Sequence, residues 1–164
     1  MANSVCEILV TAAPLQNAAD TAAATEDVAP STSLRTSLSA GAVVEFWGVV
    51  RAHEDGREIE GIEYEAHQLM AEHQLRQIAA TAGKRFQLRK VIVHHRVGFV
   101  AAGEPSLLLR VASAHRAAAF EASKWIVDEL KKKVPIWKRP RFKEAAVAGI
   151  VDPGPASAMP ATMI

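Results

Sequence analysis

The sequence of 164 residues contains one cysteine, Cys6. That excludes an intramolecular disulfide and any metal site built from cysteines alone. No apolar run approaches the ~20 residues that a membrane-spanning helix needs. The start of the chain lacks a basic n-region, and Glu7 interrupts its only apolar stretch, so no signal peptide is read there and a reducing, cytoplasmic setting is expected. There is no glycine-rich phosphate loop ending in Lys and Ser or Thr, and no dinucleotide fingerprint. The histidines His53, His67, His73, His94, His95 and His115 show none of the usual zinc spacings. His94 and His95 are neighbours on a predicted strand and point to opposite faces. No metal and no resident cofactor are therefore expected. What remains is 49% hydrophobic and 23% charged, a soluble globular composition rather than collagen, coiled coil or wholesale disorder. The length suits one domain with a sizeable core.

The net charge of +1 conceals an asymmetry. Residues 1–34 hold no Lys or Arg and four acids, Glu7, Asp20, Glu26 and Asp27. Between Lys131 and Lys143 there are seven cations and no acid. Such a cluster is either a solvated basic face or a site for an anionic ligand or partner.

Hydrophobic periodicity divides the chain. Residues 5–10 read as a short strand within an N-terminal segment, 1–15. Residues 16–40 include a stretch rich in Ala, Thr, Ser and Asp, read as a loop or insertion. A core domain is expected over 41–151, followed by a flexible tail, 152–164, with Pro153, Gly154, Pro155 and Pro160. Within the core, strands are predicted at 42–51 and 58–66, paired as a hairpin around a turn at His53–Gly56. A helix is predicted from His67 to Ala82, with Gly83 as its C-terminal cap. Strands follow at 89–97 and 106–112, separated by a turn at Ala101–Pro105, the second apolar on both faces and so central. Ser113 is positioned to cap a second helix, His115–Lys132, with Ala119, Phe120, Ser123, Ile126, Val127 and Leu130 on its buried side. Pro135 ends it. The segment 134–138 then reads as a loop or short strand, and 145–151 as a last strand. The expected class is α+β, with two main helices packed on a mixed, largely antiparallel sheet and a small β subdomain.

Three places could carry chemistry. Ser113-Ala114-His115-Arg116 lies where a strand ends and a helix begins. It is either a cap followed by exposed polar residues or an anion site using helix N–H groups with His115 and Arg116. Arg51 closes an apolar strand, as a simple terminator or as a cation aimed into a pocket at the sheet's end. Lys131 and Lys138 bracket Val134-Pro135-Ile136-Trp137. A lysine held in place by such a connection can serve as acid, base or nucleophile; otherwise the pair is an ordinary basic helix end.

Taken together, these pieces resemble the large, catalytic subunits of molybdopterin synthase. Gly41-Ala42-Val43-Val44, Phe46-x-Gly48 and Val50-Arg51 are similar to the family's first glycine-bearing strand. Ile62-x-Tyr64-Glu65 with Met70-Ala71-Glu72 resembles the lead into its first helix. His95-Arg96-Val97-Gly98 with Gly103-Glu104 resembles the strand and turn that follow. Ser113-Ala114-His115-Arg116 with Ala119-Phe120-Glu121-Ala122 is similar to its most recognisable stretch, and Lys131 to Lys138 resembles its Lys-x-x-x-Pro-x-Trp-Lys signature. The likeness covers roughly 41–140. Val49 departs from it, standing where bacterial relatives often carry Lys, and the family's usual ending after Arg139 is hard to find.

The resemblance implies an α/β hammerhead-like fold and a sulfurtransferase. Such subunits convert cyclic pyranopterin monophosphate into molybdopterin by installing two sulfurs as a dithiolene. The sulfur arrives as the C-terminal thiocarboxylate of a ubiquitin-like small subunit, and a homodimer of large subunits carries one small subunit at each end, a heterotetramer. By resemblance, Lys131 orients the thiocarboxylate and exchanges protons, Lys138 contacts the pterin or stabilises charge, and Arg51, His115 and Arg116 bind the phosphate. Neither nucleic acid nor membrane is implied. The competing reading is a small basic α+β module that binds RNA or another polyanion through Lys131–Lys143, with Trp137 and Phe142 as stacking surfaces.

Overall fold

The computed structural model describes residues 5–15, 40–144 and 161–164. Its elements are β1 (Val5–Thr11), β2 (Ala42–Val49), β3 (His53–Glu54), β4 (Arg57–Ala66), α1 (Gln68–Arg85), β5 (Lys90–Arg96), β6 (Gly98–Ala101), β7 (Pro105–Ser113), α2 (Arg116–Lys133), β8 (Ile136–Phe142) and β9 (Thr162–Met163). They form two sheets. The first has the order β1-β5-β7-β2, with β1 parallel to β5 and the remaining pairs antiparallel. The second runs β3-β4-β8-β9, with β6 also paired to β4. Both helices pack on the first sheet. The α+β expectation holds, with the small β subdomain realised as the second sheet.

β7 is internal to its sheet, as its two apolar faces predict: Leu107, Leu108, Leu109 and Val111 are all buried. Against it α2 sets a stripe of Ala119, Ala122, Ser123, Ile126 and Leu130. Phe120, expected on that stripe, is 64% exposed. It lies about 100° round the helix from Ala119, outside the arc that small residues hold against the sheet.

The predicted hairpin of 42–51 with 58–66 does not form. β2 pairs with β7 in the first sheet, whereas β4 pairs with β8 in the second. The tight turn instead joins β3 to β4. Its two central residues, Asp55 and Gly56, have φ of 51° and 75°, the left-handed pair that suits a two-residue loop. β6 was not foreseen. It begins at Gly98, where φ is 78° and the chain swings from β5 to the other sheet. Gly61 admits it: a Cβ there would collide with the Val100 carbonyl and the Phe99 ring.

Both cap expectations are corrected. Gly83 is buried inside α1, which continues to Arg85. Gln87, at φ 54°, takes the left-handed position, and the Leu88 amide bonds the Gly83 carbonyl at 3.0 Å, so a Schellman closure forms without glycine at its turn. Ser113 ends β7, and extended His115 is the α2 N-cap, without a side-chain cap bond. The Ser113 hydroxyl accepts from the His115 amide at 3.4 Å instead. At the start of α1, His67 Nδ1 accepts from the Met70 amide.

After Pro135 the chain becomes strand β8 as far as Phe142. The strand expected at 145–151 lies outside the described residues. So does most of the expected tail, but its end does not hang free: β9 pairs with Trp137 and Lys138, and the Ile164 amide bonds the Ile136 carbonyl.

Candidate active site

A pocket of about 410 Å³ opens where the two sheets meet the C-terminal end of α2. Each wall comes from a separate element. β2 and the residues after it contribute Phe46, Gly48 and Arg51; β4 contributes Ile62 and Tyr64; α2 contributes Val127, Leu130 and Lys131; β8 contributes Lys138. The two lysines meet because the helix stops between them. The Val134 amide closes the last turn on the Leu130 carbonyl, Pro135 forbids continuation, and β8 folds back antiparallel to β4 with Lys138 opposite Tyr64. Arg51 is held in the same region through its neighbour. The Val50 amide bonds the Glu104 carbonyl at 3.0 Å, and the Gly103 amide bonds the Val50 carbonyl at 2.7 Å.

The floor is polar and closed. The Tyr64 hydroxyl donates to Ser106 Oγ at 3.2 Å, and Ser106 Oγ donates to the Gly48 carbonyl at 3.3 Å. Burial pushes the Tyr64 phenol up, so it stays an O–H donor. His95 stands edge-on to Tyr64, with centroids 5.3 Å apart. Its Nδ1 lies 2.7 Å from the Arg96 carbonyl, an acceptor only, so Nδ1 carries the proton. Burial lowers the His95 pKa to about 4, so the ring is neutral near pH 7.

Four polar residues of the pocket were not among the candidates read from the sequence: Tyr64, His95, Ser106 and Glu54. Glu54 lines the pocket, donated by the β3–β4 turn, and its carboxylate pairs with both Lys138 and Arg51, the latter at 3.4 Å. The Lys138 hydrogen bond, followed by the charges of Lys138 and Arg51, holds its carboxyl below the ordinary range against the opposing effect of burial. The only sequence signal was an acid at the edge of a turn, which is commonplace. Lys131, in contrast, makes no ion pair among the described residues.

Arg51, Lys131 and Lys138 thus converge, whereas His115 and Arg116 do not join them. These two are exposed at the other end of α2, Arg116 being fifteen residues from Lys131 along the helix, or about 22 Å, and His115 the N-cap before it. The basic cluster is also less available than its composition suggested. Lys132 and Lys133 pair with Glu129, Arg139 with Glu65, Lys143 with Glu58 and Lys138 with Glu54. Arg57 covers the Phe142 ring at 4.0 Å and Arg141 stacks on Phe99 at 4.7 Å, so a proposed stacking surface is already occupied. Among the described residues no group of three or more His, Cys, Asp or Glu could hold a metal ion, and no helix is long and apolar enough to cross a membrane.

Residues 16–133 match the family described as MoaE protein. Molybdopterin synthase catalytic subunits are 44% identical over 100 residues in Thermoplasma volcanium, covering 61% of this chain and 73% of that one. The human relative of the same name is 39% identical over 106 residues, covering 65% and 56%. Among solved structures, molybdopterin synthase from Staphylococcus aureus superposes with a TM-score of 0.67 at 28% identity, covering 85% of this chain and 92% of that one. The MoaE protein of Burkholderia ambifaria gives 0.66 at 25% identity, covering 88% and 93%. The chain belongs to the MoaE family, the catalytic subunits of molybdopterin synthase.

Proposed function

We propose that this chain performs sulfur transfer in the cytosol, from the thiocarboxylated C-terminus of a ubiquitin-like small subunit to cyclic pyranopterin monophosphate, forming the molybdopterin dithiolene. The observation that carries the residue assignment is the convergence of Arg51, Lys131 and Lys138 on one pocket from three separate elements. A phosphate and a thiocarboxylate repel each other, and fixed cations in a half-closed pocket offset that repulsion. Lys131, with no ion-pair partner among the described residues, orients the thiocarboxylate and exchanges protons as the cyclic phosphate opens and water leaves. Lys138 faces the pterin as charge develops. The neutral ring of His95 and the Tyr64 hydroxyl wall the site without adding charge.

Arg51, His115 and Arg116 hold the phosphate, Arg suiting it through two parallel N–H donors. Because α2 separates His115 and Arg116 from their own pocket, a second copy of the chain supplies them in a homodimer. The name "catalytic subunit" borne by the relatives entails a companion chain, consistent with a small subunit docked on each copy.

The deciding experiment is a single-turnover assay with thiocarboxylated small subunit and cyclic pyranopterin monophosphate. Dithiolene product that is lost in Lys131→Ala is expected. A formed complex without product would refute the catalytic assignment, and failure to form any complex would favour the polyanion-binding module.

A further inference from the structure

Arg51 and Lys138, two of the three cations lining the pocket, share an anion, Glu54. The arrangement is built rather than incidental. The two-residue turn at Asp55–Gly56 fixes β3 against β4 with Glu54 opposite Arg57, and the Glu54 side chain is only 13% exposed. Lys138 is fixed from the other side by its pairing with Tyr64 and Thr162. Arg51, by contrast, is 79% exposed and meets Glu54 at 3.4 Å, a loose contact on a mobile-length side chain. The remaining charged or titratable side chains lining this pocket are Lys131, Tyr64 and neutral His95, and Ile164, the last residue of the sequence, also lines it, so Glu54 is its one side-chain carboxylate among the described residues.

We infer that Glu54 is a resident counter-anion of the site: it holds Lys138 in position and occupies Arg51, a cation that the substrate's phosphate must claim. When the phosphate enters, Arg51 leaves the Glu54 carboxylate for it, while the shorter and more enclosed Glu54–Lys138 pair stays. The consequence is a trade. The carboxylate weakens anion binding by presenting a like charge, and it keeps the Lys138 ammonium aimed for the chemical step. Glu54 is in this sense a positioning residue that acts through Lys138.

The inference rests on the pocket being the substrate site, so its first test uses neither precursor nor partner. Inorganic phosphate is titrated into the full chain and followed by amide chemical shifts of residues around Arg51 and Lys138. Glu54→Gln should bind phosphate about tenfold more tightly than wild type, the scale of removing one nearby unit charge at a partly screened site. Glu54→Ala repeats the comparison without the amide, and thermal unfolding checks that each variant is folded. Equal or weaker phosphate binding in folded variants overturns the inference, whatever becomes of the sulfur-transfer reading. In turnover, Glu54→Gln should lower KM for the phosphate-bearing precursor and lower kcat as well. Loss of thermal stability with both kinetic constants moved adversely would mark a merely structural role and overturn it equally.

Discussion

Lys131 and Arg116 lie on the same helix, α2, one in its last turn and the other at its first residue, about 22 Å apart. No rearrangement of side chains brings them to one phosphate-sized ligand within a single copy. Mixed dimers test the proposed sharing directly. Lys131→Ala and Arg116→Ala chains, each impaired alone at substrate below saturation, should regain turnover when mixed and allowed to exchange, because one of the two sites then recovers both groups. No recovery in verified mixed dimers would confine each site to its own copy.

Arg116→Ala by itself should weaken binding of cyclic pyranopterin monophosphate by ~1.5–3 kcal/mol, the scale of a lost charge-assisted hydrogen bond. Isothermal titration measures this, and unchanged affinity would remove Arg116 from the phosphate site.

Lys131→Ala should reduce single-turnover rate by at least ~100-fold, the lower range for loss of an acid–base group. The side chain is exposed at the helix end, so melting temperature should be nearly unchanged. Near-normal turnover would refute its role.

His95 predicts a pH dependence. Its folded pKa of about 4 lies below the ordinary 6.5, so the unfolded chain binds the extra proton first. Stability contributed by the neutral buried ring is present above pH 6.5 and is lost as pH falls toward 4, by about 3 kcal/mol on linkage arithmetic. The paired acids Glu54 and Glu104, whose carboxyls are held low, lose stability in the same direction at still lower pH. Urea unfolding between pH 7 and 4.5 should show this slope, and His95→Gln should flatten it. An equal slope in both proteins would assign it to other groups.

Ile126→Ala should cost about 2–5 kcal/mol, since Ile126 is fully buried where α2 meets the first sheet. Chemical denaturation measures the loss. A cost below about 1 kcal/mol would show that α2 is not seated as described.

Much of the local structure could be read directly. The buried stripe of α2 apart from Phe120, the doubly apolar β7 and the helix stop at Pro135 follow from spacing and from the chemistry of single residues, and the structure carries them. The turn at Asp55–Gly56 was legible too, but its partner strand was not. Period-two alternation shows which face of β2 or β4 is apolar and says nothing about which strand lies alongside, so the two were paired when they belong to different sheets. Gly83 looked like a cap because glycine usually is one; packing of α1 on the sheet carried the helix two residues further and left Gln87 to take the left-handed position.

The sequence by itself determined the two helices and the longer strands of the first sheet, most of their apolar faces, the family and the identities of the cations, because these depend on residue type and on neighbours a few positions away. Only the tertiary structure decided which cations meet. Arg51, Lys131 and Lys138 come together through the crossing of two sheets and a helix end, Glu54 joins them from a turn, and His115 with Arg116 is carried away by the length of α2. Such juxtapositions arise from chain segments distant in sequence, and no local pattern encodes them.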